Sequence, residues 1–159
     1  MQWYALVVTF ILVVRNGQSA KTKIIDKNDD IRSISSGSSF GECLGYCRRS
    51  INITNVPIRL IALKESNGDS IKYPTIQRQF RFPSSRWKKL TAILDTQKFL
   101  KLDDRIGCPD CADGGAEWIQ VNWSKKSKRV TFEHGKLVNG IEELINYLRI
   151  LRKQYLKDL

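Results

Sequence analysis

Apolar and polar positions alternate along several short stretches of this chain and recur at helical spacing along two others. Ile51 and Ile53 alternate with polar neighbours in an extended stretch over residues 50–63. Pro57 interrupts it, and a proline there implies an edge position, a bulge or a break. Ser66-Asn-Gly-Asp69 is turn chemistry. In a second strand over 75–82, Ile76, Phe80 and Phe82 share a face against Gln77, Gln79 and Arg81. Pro83-Ser84-Ser85 ends that strand and opens a helix with a serine as N-cap, in which Trp87, Leu90 and Leu94 recur at helical spacing. Residues 96–102 add a further turn that buries Phe99 and Leu100. A third strand over 116–123 turns Ile119, Val121 and Trp123 to one side. A hairpin turn at 124–127 leads to a return strand over 129–134 with Val130 and Phe132 inward. The final helix is the clearest element. Asn139 is its expected cap, Glu142 takes the capping-box position, and Ile141, Leu144, Ile145, Leu148, Leu151 and Tyr155 form one apolar stripe.

The order strand, strand, helix, strand, strand, helix predicts an α+β fold. Local hairpins imply an antiparallel four-stranded sheet with two helices packed on one face. At 159 residues the chain has the size of a single domain, placed over 40–159. Residues 1–20 read as a secretory signal peptide, because Tyr4 to Val14 is an apolar run of 11 residues, too short for a membrane span. Residues 21–39 are dominated by Lys, Asp, Asn and Ser and read as a disordered leader. The expected location is therefore secreted and extracellular. Two sequons, Asn52-Ile-Thr54 and Asn122-Trp-Ser124, agree with secretion and make Asn52 and Asn122 the glycosylation candidates.

Charge adds a direction. The chain carries 27 basic and 16 acidic residues, a net +11. Such an excess favours acidic partners: sulfated glycans, anionic lipid surfaces or nucleic acid, with acidic glycans or extracellular matrix components the expected ones. No block of like charge resembles a nucleic-acid-binding arm, so nucleic acid is not an expected partner. Lys125, Lys126, Lys128 and Arg129 cluster on the expected hairpin tip and are the candidate polyanion-binding residues.

The four cysteines fall in two stretches, Phe40-Gly-Glu-Cys43-Leu-Gly-Tyr-Cys47 and Gly107-Cys108-Pro-Asp-Cys111, which are expected to meet in the fold. In a secreted chain they suggest two disulfides, with three possible connectivities. Two local pairs would each stabilise by about 2 kcal/mol, and a cross-pair closing roughly 60 residues by about 4 kcal/mol. An extended backbone between Cys43 and Cys47 would hold their Cα atoms about 13 Å apart, too far to bond, which favours cross-pairing. Four thiolates would also suit a zinc site, and a redox Cys-x-x-Cys is a further reading, but an oxidising compartment favours disulfides.

Asp103, Asp104, Asp110, Asp113 and Glu117 form an acidic cluster. Asp110, Asp113 and Glu117 are the candidate ligands of an alternative calcium site, although EF-hand spacing is absent. No catalytic motif and no cofactor fingerprint is present, and His134, the single histidine, reads as a strand-end residue.

The Phe40-Gly-x-Cys-x-Gly-Tyr-Cys47 motif, followed by an amphipathic helix, Phe99-Leu-Lys-Leu102, a hairpin and a final helix, resembles a family of secreted or lipoprotein domains of unknown function. That resemblance implies an α+β domain outside the cytoplasm and supplies no activity. The expectation from sequence is a secreted non-enzymatic protein, a matrix component or binding module for acidic ligands. The alternative is a secreted enzyme or inhibitor using the acidic loop from Cys108 to Glu117.

Overall fold

A computed structural model describes residues 30–157 and residue 159. Seven strands form one mixed sheet, in the order β4-β3-β2-β1-β6-β7-β5. They are β1 (Ile31–Ser39), β2 (Arg48–Thr54), β3 (Arg59–Glu65), β4 (Ile76–Arg81), β5 (Arg105–Ile106), β6 (Ala116–Trp123) and β7 (Ser127–Glu133). Every neighbouring pair is antiparallel except β5 with β7, which is parallel. Among the described residues three α-helices complete the fold, α1 (Ser84–Ile93), α2 (Thr96–Lys101) and α3 (Glu142–Leu156), beside one 3-10 turn at Cys111–Asp113.

This corrects the expected four-stranded antiparallel sheet with two helices. The stretch read as one strand before Ser66 is two, because the chain reverses at Pro57; Thr54 Oγ1 donates to the Pro57 carbonyl at 2.7 Å and helps close the turn between β2 and β3. The stretch over 96–102 is a helix of its own. Asp95 caps it by accepting from the Gln97 and Lys98 amides, and these bonds hold its carboxyl below the ordinary range.

The largest correction concerns residues 31–39, read as part of a disordered leader. They form β1, a central strand that pairs with β2 on one side and β6 on the other. Its composition, Ile-Arg-Ser-Ile-Ser-Ser-Gly-Ser-Ser, lacks an apolar alternation because its neighbours fill the space that large side chains would occupy. Ser36 is fully buried beneath Arg152 of α3, and the Trp118 indole lies flat over Gly37. The signal-peptide reading of residues 1–20 lies outside the described residues.

Residues on one sheet face build the core. Ile34, Ile51, Ile53, Leu60, Ile119, Val121, Val130 and Phe132 are buried there against Trp87 and Leu90 of α1, Phe99 of α2, and Leu144, Ile145, Leu148 and Leu151 of α3. The apolar stripe of the last helix behaves as its spacing predicts. Its start does not: α3 begins at Glu142, whose carboxylate accepts from the Gly140 amide, and Asn139 stays outside. Likewise α1 follows Pro83 without a side-chain cap. Among the described residues no helix covers the opposite sheet face, where Ser35, Asn52, Trp118, Gln120 and Asn122 lie in neighbouring strands. No described helix is long and apolar enough to cross a membrane.

Candidate functional site: a cationic pocket beside the last helix

Arg149, Arg152, Lys153 and Lys157 recur at helical spacing and share one flank of α3. That flank faces Arg49 of β2 and Lys64 of β3, which are direct cross-strand partners. The six side chains line a cavity of about 580 Å³, and no carboxylate is among its lining residues. Two cations paired directly across strands are unfavourable without an anion nearby.

A single buried acid, outside the cavity lining, holds two of its arginines in place. Glu117 is 2 % exposed and accepts from the Arg149 guanidinium at 2.8 Å, from the Gly135 amide at 2.9 Å and from Arg152. Burial pushes the Glu117 carboxyl up, but the hydrogen bonds from Arg149, Arg152 and Gly135 and the Arg152 charge outweigh it and bring its pKa from 4.5 to about 2. Arg152 also donates to Ser36 Oγ at 2.7 Å and to the Gly37 carbonyl at 3.0 Å, so its guanidinium is fixed beneath the cavity. Arg149 donates to the Lys136 carbonyl as well. Glu117 neutralises one of these two guanidinium charges. Towards the rim, Arg49 donates to the Tyr46 carbonyl and Lys64 to the main-chain oxygen of Leu159. Lys153 and Lys157 are exposed and carry no ion pair among the described residues.

The basic hairpin residues do not form one site. Lys125 and Lys126 are exposed at the tip, with the Lys126 ammonium 5.1 Å from the Trp123 ring centre. Lys128 turns towards α2, where it donates to the Leu102 carbonyl and pairs with Asp104 at 2.5 Å. Arg129 stacks on Trp118, 3.9 Å from the ring centre, on the face that no helix covers. There it lines a separate hollow of about 260 Å³ with Arg48 and Glu65.

The two cysteine stretches do meet, although the disulfides are local: Cys43–Cys47 and Cys108–Cys111, with Cα separations of 5.6 and 5.5 Å. This corrects the expected cross-pair. The chain between Cys43 and Cys47 is a bent loop in which Gly45 takes a positive φ of 93°, so the extended-chain distance never applies. What joins the stretches is the Gly41 amide donating to Asp110 Oδ1 at 3.2 Å, together with the Phe40 ring over Gly115. With both pairs oxidised, no thiolate is left for zinc. The three residues of the alternative calcium site are not brought together. Glu117 is consumed by the two arginines, Asp110 serves Gly41, and no group of three or more acidic, histidine or cysteine side chains converges among the described residues.

Asn52 and Asn122 lie on the uncovered face, half-buried, in register with Ser35 and Ser33 respectively. Asn52 accepts from Ser35 Oγ, and Asn122 donates to Ser33 Oγ. His134 is exposed at the end of β7, edge-on to Phe40 and 4.0 Å from Glu117.

In the sequence Arg149, Arg152, Lys153 and Lys157 carry only a local signal, that of basic side chains in the last turns of a helix, which suit its C-terminal end. Arg49 and Lys64 carry no local signal, because only the pairing of β2 with β3 sets them side by side. Comparison with models of known protein families finds no match, and comparison with curated proteins finds none either.

Proposed function

We propose that this protein is a secreted, non-enzymatic binding module that holds anionic groups, sulfate or phosphate, of a larger acidic ligand. The observation that carries the reading is the pocket of Arg49, Lys64, Arg149, Arg152, Lys153 and Lys157, gathered without an acidic lining residue. Guanidinium and ammonium donors on three elements suit an anion with several oxygens. The fixed Arg149 and Arg152 would form the base, and the mobile stems of Lys153 and Lys157 the rim. Two disulfides and the short apolar N-terminal run support an extracellular setting. Glycans on Asn52 and Asn122 would decorate the sheet face opposite the helices and leave the pocket free.

The test is retention on immobilised heparin. The expected result is salt-sensitive retention, with Arg49→Glu/Lys153→Glu eluting at much lower salt than the parent protein. Lys125→Glu/Lys126→Glu should shift elution less. An unchanged elution for the pocket variant with intact folding overturns the reading.

A further inference from the structure

Two large apolar side chains stand almost fully in solvent at the pocket's end of the sheet. Leu44 is 98 % exposed at the tip of the β1–β2 loop, and Ile71 is 96 % exposed in the β3–β4 loop. Neither loop is loose. The Cys43–Cys47 disulfide closes the base of the first. The Asn67 amide donates to the Gly41 carbonyl at 2.6 Å, and Tyr46 meets Tyr73 edge-on at 5.9 Å, so the loops are knitted together. Exposing two such side chains on a braced scaffold costs hydration free energy that only a covering apolar phase recovers.

The cationic pocket adjoins the same loops. On the sheet side it is lined by Ser38, Arg49 and Lys64, each within two residues of one loop or the other. Lys72 adds a cation, whereas Glu42, Glu65 and Asp69 add acids, so the positive field of this end comes from the pocket rather than from the loops. Apolar tips beside a cation-rich cleft match the layering of an anionic bilayer, whose acyl region lies beneath a shell of phosphate and carboxylate. A sulfated glycan would satisfy the pocket but offers nothing to Leu44 and Ile71.

We infer that the Leu44 and Ile71 loops insert into the surface of an anionic phospholipid membrane while the adjoining pocket takes a lipid headgroup. The inference rests on the anion-binding reading of the pocket and names its partner. The test is co-sedimentation of the full chain with phosphatidylcholine vesicles, alone or containing phosphatidylserine, beside heparin retention. The expected result is binding to the phosphatidylserine vesicles only, reduced about tenfold or more by Leu44→Asp/Ile71→Asp and also by Arg49→Glu/Lys153→Glu. The loop variant should keep its heparin retention and its unfolding transition, because both residues are solvent-facing. Vesicle binding unaffected by the loop variant overturns insertion. Heparin retention through the pocket without vesicle binding overturns the membrane partner and leaves the anion pocket standing. Failure of both assays overturns both. Competition by inorganic phosphate that matches phosphatidylserine vesicles in strength would mean a soluble anion is the ligand, and would also overturn the membrane inference.

Discussion

Arg152 of α3 and Glu117 of β6 form a buried ion pair, 35 residues apart in sequence, that joins the last helix to the centre of the sheet. Arg149 binds the same carboxylate from one turn earlier. Removing the acid leaves two guanidinium groups without their shared counter-charge, and breaking one partner of such a pair costs about 3–5 kcal/mol. Glu117→Gln, which keeps the shape and removes the charge, should therefore lower the stability measured by chemical denaturation by an amount of that order. It should also release Arg152, which forms the floor of the pocket.

The same pair sets an acid limit. Glu117 titrates at about 2 in the fold against 4.5 for the ordinary group. A folded-state value below the unfolded one means the unfolded chain binds the proton more readily. The stabilisation is thus fully present above about pH 4.5 and is lost as pH falls towards 2. Denaturation at stepped pH should show a stability decline through this window that Glu117→Gln largely abolishes.

Gly37 tests the packing of the central strand. A Cβ there would sit 2.6 Å from Trp118 indole atoms, well inside contact distance. Gly37→Ala should push the indole off the strand and cost about 1–3 kcal/mol. Adding Trp118→Leu removes the obstruction, so the double variant should be more stable than the sum of the two single effects implies. Strict additivity in a double-mutant cycle would show that the two residues do not touch.

Peptide mapping without reduction should recover Cys43 linked to Cys47 and Cys108 linked to Cys111, with no peptide joining the two stretches. Replacing either pair by serines should cost about 2 kcal/mol, the scale for closing so short a loop. A cross-linked peptide would contradict the local pairing.

Calcium should leave the melting temperature unchanged. Asp110 already accepts from Gly41, and Glu117 is held by Arg149 and Arg152. A rise in melting temperature with calcium, removed by Asp113→Ala, would restore the cation-site reading.

Secondary structure was legible where the chain carries its own periodicity. The α3 stripe, the inward rows of β6 and β7, and the inward side of Phe80 and Phe82 follow from spacing alone. β1 was illegible for a definite reason. Ser36 and Gly37 are small because Arg152 and Trp118 occupy the space above and below them. A strand whose volume is supplied by residues about 80 to 116 positions away leaves no alternation to read. β5 is only two residues long and pairs in parallel with β7, too short for any pattern to mark. In the site, the acidic and basic clusters seen in sequence were real but were dispersed by geometry. Strand alternation put Lys128 and Arg129 on opposite faces, and Glu117 faced the helices while Asp110 and Asp113 stayed in the loop.

By itself, then, the sequence determined the net charge, the pairing-competent cysteines and the elements with strong periodicity. These are local or additive properties, set by which residues are present and how neighbours repeat. The tertiary structure decided the rest: that a serine-rich stretch lies at the centre of a seven-stranded sheet, that the disulfides are local, and that Arg49 and Lys64 meet the α3 cations around one cavity. Each of these depends on which strands pair and which helix flank faces them. Such long-range choices are made by burial and charge pairing across the whole chain, with no signature in any one segment.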